Sequence, residues 1–107
     1  MSNYRYMRSM LMFDLPVDTA TQRRDYRQFV KYIKKNGFVM FQKSIYVKLS
    51  VNSAAIDSLE ALIKSHLPRQ GLISMITVTE KQFASMCYML GSFETDVLET
   101  DQRYTEL

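Results

Sequence analysis

Asp14 closes an apolar run, MLMFDLP over residues 10–16, and Pro16 follows it too closely for a strand ladder to continue. A carboxylate just past a strand end has two uses. It bonds its own backbone as a turn former, or it is a charge held in a fixed place for chemistry. The residues alone leave both open. One carboxylate per chain is a poor metal site, but magnesium keeps several waters and needs only one or two protein carboxylates plus substrate phosphates. If a dimer axis brings two copies of Asp14 together, the pair suits one hydrated divalent ion, able to polarise a phosphodiester and activate water.

The second chemistry-bearing group is basic. Arg23, Arg24, Arg27, Lys31, Lys34 and Lys35 fall on one arc when residues are placed at about 100° each. Tyr26 and Tyr32 are interleaved with them, and Asp25 is the opposing acid. Solvated helix faces usually mix signs. A face of one sign neutralises phosphates and makes binding steeply salt-dependent, positioning a nucleic acid without reading its sequence. Other chemistries find no support: there is no Gly-rich phosphate loop, no HExxH and no nucleophile triad. The sole histidine, His66, stands before Leu67 and Pro68 at a helix end and suits a capping or surface role. Cys87 lies in an apolar segment and reads as a small buried hydrophobe. The methionines and aromatic residues fall at core positions and read as packing.

These groups sit in a chain of 107 residues, enough for one domain with a modest core. It is 47% hydrophobic and 23% charged with only 3 Gly and 2 Pro, an ordered globular composition. The N-terminus lacks the apolar stretch of a signal peptide and no run approaches a membrane span, so the expected compartment is the cytoplasm and no membrane partner is expected. With one cysteine, an intrachain disulfide is excluded. The net charge of +3 hides an asymmetry: residues 1–93 carry 13 Lys and Arg against 6 Asp and Glu, whereas residues 94–107 carry 5 acids against Arg103. The expected organisation is a basic domain over residues 1–91 and an acidic tail over 92–107.

Residues 6–13 have the length and composition of a strand. Asp18 or Thr19 then caps a helix that Gly37 terminates, with Tyr26, Phe29, Val30 and Ile33 as its apolar stripe. Residues 38–41 and 45–51 read as a hairpin across QKS. Asn52 or Ser53 caps a second helix that buries Ile56, Leu59, Leu62 and Ile63. Residues 72–78 form a fourth strand, TEKQFASM a helical turn, and CYML a possible fifth strand.

The order β-α-β-β-α-β is that of an α+β, ferredoxin-like split βαβ fold, here with a C-terminal extra strand. Both helices then cover one face of an antiparallel sheet. Yet the first strand is apolar on both parities (Met10 and Met12, Leu11 and Phe13), as is the fourth. Strands apolar on both faces require cover on both, which implies a homodimer packed sheet against sheet.

FDLP after the first strand, RRDYRQFVKYIKKNGF through the first helix, FQKSIYVKL across the hairpin and TVTEKQF after the fourth strand together resemble the CRISPR-associated protein 2 family over residues 6–91. The details are most similar to members from systems with a single large effector nuclease. The resemblance implies a homodimer in which the C-terminal strand, here CYML, extends the partner's sheet. It implies that Asp14 binds metal and is catalytic, with Mg2+ as cofactor, and places Phe13, Arg23 and Arg24 near that metal. It implies endonuclease activity on RNA or double-stranded DNA. It also implies assembly with the CRISPR-associated integrase, where the dimer bridges two integrase dimers and holds the protospacer duplex, either as a nuclease or as a scaffold in which Asp14 is dispensable. The acidic tail departs from shorter members and by its charge suits contact with the integrase or the partner subunit.

An RNA-recognition-motif protein shares this element order, and NGFVMF resembles that family's aromatic motif. That motif belongs on the third strand, however, and here falls on the second. Met10 and Met12 also offer no stacking ring on the first.

Overall fold

The computed structural model describes residues 6–91. Strand β1 (Met7–Asp14) leads through an irregular connection into helix α1 (Ala20–Lys35). Of the two candidate caps Thr19 is used: its side chain accepts from Gln22 N–H while the Gln22 side chain accepts from the Thr19 backbone, a reciprocal capping box. At the other end the chain leaves α1 through Gly37 at φ 98°, a left-handed conformation that glycine adopts without steric penalty. Strands β2 (Val39–Gln42) and β3 (Ile45–Ser50) form a hairpin whose turn is Lys43 and Ser44. Asn52 caps α2 (Ser53–Lys64), and β4 (Leu72–Thr79) is followed at once by α3 (Glu80–Ala84).

The sheet order is β2-β3-β1-β4 with every pair antiparallel. With α1 and α2 on one face, this is the ferredoxin-like α+β arrangement. The core on the helix side joins Leu11 and Phe13 of β1 and Tyr46 of β3 to Phe29 and Ile33 of α1 and Leu59 and Ile63 of α2. Phe13 is its aromatic hub, edge-on to Phe29 at 5.4 Å and Tyr26 at 6.0 Å and stacked on Tyr46 at 5.8 Å. Leu62, expected in the buried stripe, is instead 36% exposed, because three residues of α2 suffice to face the sheet.

The second sheet face departs from expectation. Its central end is covered by the chain itself: Phe83 of α3 packs with Phe41 and Val47, and Met10, Ile45, Val78, Met86 and Tyr88 lie against them. Arg8 holds α3 there through a fork onto Glu80, at 2.7 and 2.9 Å, with its guanidinium 4.8 Å from the Phe83 ring centre. Residues 87–90 form no fifth strand in this chain, and Cys87 is exposed rather than buried. Met86 and Tyr88 turn in against the Phe83 cluster, and Cys87 between them is left facing out. Met40 and Met89 are likewise exposed, at 47% and 90%, against the expectation that the methionines serve as packing. The acidic tail, residues 92–107, lies outside the described residues.

Candidate metal and nucleic-acid site

Asp14 is the last residue of a strand that has a neighbour on each side. On one side Phe13 N–H donates to Ser44 O at 3.1 Å, tying the strand end to the β2–β3 turn. That turn needs Ser44 at φ 66°, a conformation uncommon outside glycine. On the other side Asp14 is paired with Leu72 at the start of β4. Gly71, at φ 117°, brings the incoming loop against the strand; a Cβ there would lie 2.9 Å from Asp14 O and 2.5 Å from a Leu15 methyl carbon. Below it, Phe13 is locked in the aromatic cluster. The backbone of Asp14 is therefore held from both sides while its side chain is exposed.

Among the described residues the Asp14 carboxylate takes part in no hydrogen bond and no ion pair. The turn-former use is thereby excluded within the described chain: the start of α1 is served by Thr19, not by this aspartate. A free, exposed, hard oxygen donor suits magnesium. No group of three or more His, Cys, Asp and Glu able to hold a metal occurs among the described residues, so Asp14 belongs to no such cluster there.

The register puts Asp14 on the same sheet face as Met12 and Met10, and opposite them on β4 stand Leu72, Ser74 and Ile76. Leu72 is 69% and Ile76 51% exposed. This is the end of the second face that α3 leaves uncovered.

The six cations of α1 are all exposed. None has a carboxylate partner among the described residues; Asp25 pairs with Arg69 instead. Arg23 reaches back to the loop that follows Asp14, its Nη1 donating to Val17 O at 3.0 Å and Asp18 O at 3.2 Å. Arg23, Arg27, Lys31 and Lys35 form a single row at four-residue spacing, about 18 Å long at 1.5 Å per residue. The interleaved tyrosines do not share this arc: Tyr26 packs on Phe13 and Tyr32 stacks on His66. His66 sits just past the end of α2, exposed, in the capping or surface position its sequence context suggests. Asp14 and the cationic row thus occupy a strand end and a helix face joined by a short loop. Gly71 and Ser44, which fix that strand end, were not among the residues singled out from the sequence. A glycine two residues after Arg69 was the available signal for the first.

The family model for CRISPR associated protein Cas2 matches residues 7–86. The chain is 45% identical over 97 residues to the CRISPR-associated endoribonuclease Cas2 of Streptococcus mutans, covering 91% of this chain and 89% of that relative. It is 45% identical over 101 residues to the protein of the same name from Treponema denticola, covering 94% and 100%. The corresponding Ligilactobacillus salivarius protein is 39% identical over 97 residues, covering 91% and 96%. With the match spanning all four strands and both long helices, the chain belongs to the CRISPR-associated protein Cas2 family.

Proposed function

We propose that the protein acts in the cytoplasm as a homodimer that binds duplex nucleic acid along α1 and hydrolyses phosphodiester bonds with magnesium held between two copies of Asp14. The carrying observation is the position of Asp14: a free carboxylate on a strand held from both sides, at the border of an uncovered apolar strip. Burying Leu72 and Ile76 of each chain against the other removes apolar surface from water and draws the two aspartates toward a common axis. When bound, magnesium supplies polarisation of the phosphodiester and an activated water. The chain's own contribution is a fixed oxygen ligand and, from Arg23, Arg24 and Arg27, neutralisation of the substrate phosphates that magnesium does not reach.

The relatives' name, endoribonuclease, makes RNA the first substrate to test and double-stranded DNA the second. Purified protein with magnesium is expected to cleave one of the two, with activity lost on chelation and in Asp14→Ala. Equal activity in both proteins would assign the cleavage elsewhere.

A second reading has support of its own. The cationic row is built without any contribution from Asp14, and one carboxylate per chain is a sparse catalytic site. On this reading the dimer is a scaffold that holds protospacer DNA and bridges dimers of the CRISPR-associated integrase. Spacer acquisition in cells carrying Asp14→Ala separates the two: a scaffold keeps full acquisition, and a required nuclease loses it.

A further inference from the structure

Where α1 passes the end of α2 the surface changes character. Beside the cationic row runs a second one at the same spacing, Arg24, Gln28 and Tyr32, which leads off the basic arc. It ends in a cleft of about 360 Å³ lined by Gln28, Tyr32, His66 and Arg69, with Asp25 and Phe29 at its back. There the His66 ring lies flat on Tyr32, with centroids 3.9 Å apart and planes 14° from parallel.

The imidazole is also fixed along one edge. Ser65 Oγ donates to Leu62 O at 2.6 Å, which uses its only hydrogen. His66 Nδ1 lies 2.8 Å from that Oγ and 3.4 Å from Leu62 O, which ties this edge of the ring to the end of α2. His66 is exposed, and among the described residues no other ring and no cation stacks on it. Arg69 borders the same cleft. Its guanidinium grips Asp25 through two contacts of 3.1 Å, and the arginine side chain remains 69% exposed while Asp25 is only 15% exposed. The carboxylate is thus neutralised at the back, and the outer edge of the arginine is left to solvent.

A flat ring held by one face and one edge, a guanidinium beside it whose outer edge is open to solvent and a cationic row on the neighbouring arc of α1 are the parts of a single-strand binding site: a stacking platform next to an electrostatic track. We propose that this cleft receives an unpaired nucleobase, stacked on the open face of His66 so that it continues the Tyr32–His66 stack, with its phosphate on Arg69 and the Gln28 amide against the base edge. This rests on the reading that α1 binds nucleic acid, and it specifies the ligand further: a duplex that carries a single-stranded extension.

Fluorescence anisotropy with a blunt duplex and with the same duplex bearing a short unpaired extension tests it. The extension is expected to tighten binding about tenfold. A 2-aminopurine placed in the extension is expected to be quenched on binding. In His66→Ala both effects disappear while blunt-duplex affinity stays at the wild-type level; in His66→Phe, which keeps the platform, both persist. An extension that adds no affinity while the blunt duplex binds normally overturns the proposal alone. So does a full gain in His66→Ala. Failure of the wild-type protein to bind the blunt duplex overturns the α1 reading itself and the proposal with it.

Discussion

Asp14 and Leu72 stand opposite each other across the β1–β4 pair, a carboxylate without a partner among the described residues beside a leucine that is 69% exposed. On the proposed reading a two-fold contact at this corner of the sheet would cover the leucine and bring a second aspartate to the first, so the dimer and the site are tested together.

Replacing Asp14 should separate chemistry from folding. The side chain is exposed and makes no hydrogen bond to a described residue, so Asp14→Ala should shift unfolding free energy by no more than about 0.5 kcal/mol. Magnesium-dependent cleavage should nevertheless fall to background. Urea unfolding beside a cleavage assay checks both; a variant that is strongly destabilised would return Asp14 to a structural role.

Charge placed on the uncovered strip should break the dimer without unfolding the chain. Ile76 is 51% exposed on the edge strand, so Ile76→Glu is tolerated by the monomer but places an unpaired charge in a dry interface. Such a group costs a few kcal/mol, so dimerisation should weaken by roughly a hundredfold or more. Sedimentation equilibrium measures this, and cleavage should decline in step with the loss of dimer.

The cationic row makes a prediction about salt. Each phosphate neutralised contributes a slope of about −0.9 to the dependence of log affinity on log salt for B-DNA. Arg27→Ala combined with Lys31→Ala should therefore flatten the slope by about 1.8 per chain, with affinity lowered alike across sequences. A slope unchanged from the wild type would place the duplex on another surface.

Tyr46 sets an alkaline limit on stability. Burial pushes its phenol above the usual tyrosine value, and the neighbouring Tyr26 adds to the shift. The folded state favours the neutral phenol, so its contribution is complete below about pH 10, where the unfolded residue titrates, and is lost as pH rises through the higher folded value. Denaturant unfolding between pH 8 and about pH 11 should show stability falling above about pH 10. Tyr46→Phe should remove that part of the fall while changing little at neutral pH, since the hydroxyl bonds to no other described residue.

How far these features were legible in the sequence differs by element. The helices were readable because their signals are local: Asp18 or Thr19 offers a cap at the start of α1, of which Thr19 is used, and Phe29 and Ile33 repeat at the helical period. The two-sided apolar strands were readable too, and one end of the second face is indeed covered, by the chain's own α3. What covers the central end was misjudged, because Phe83 reaches Phe41 and Val47 only through the three-dimensional return of α3 over the sheet. No spacing along the chain announces that contact. The same holds for the site. Asp14 and the α1 cations stood out by type and position, whereas Ser44, Gly71 and the Tyr32–His66 stack depend on pairings across the fold.

Gly71 therefore offers the sharpest test of whether Asp14 must be held still. Its φ of 117° is strained for any side chain, and a Cβ would meet the Asp14 carbonyl oxygen at 2.9 Å, so either residue 71 or the end of β1 must shift in Gly71→Ala. Left-handed strain of this kind is worth of order 1–3 kcal/mol, and that loss should appear in urea unfolding. If the position of Asp14 matters to catalysis, cleavage should fall by more than the folded fraction accounts for, and raising magnesium should recover part of it. An activity that simply follows the folded fraction would show that the strand end tolerates displacement and that the precise placement of Asp14 is not required.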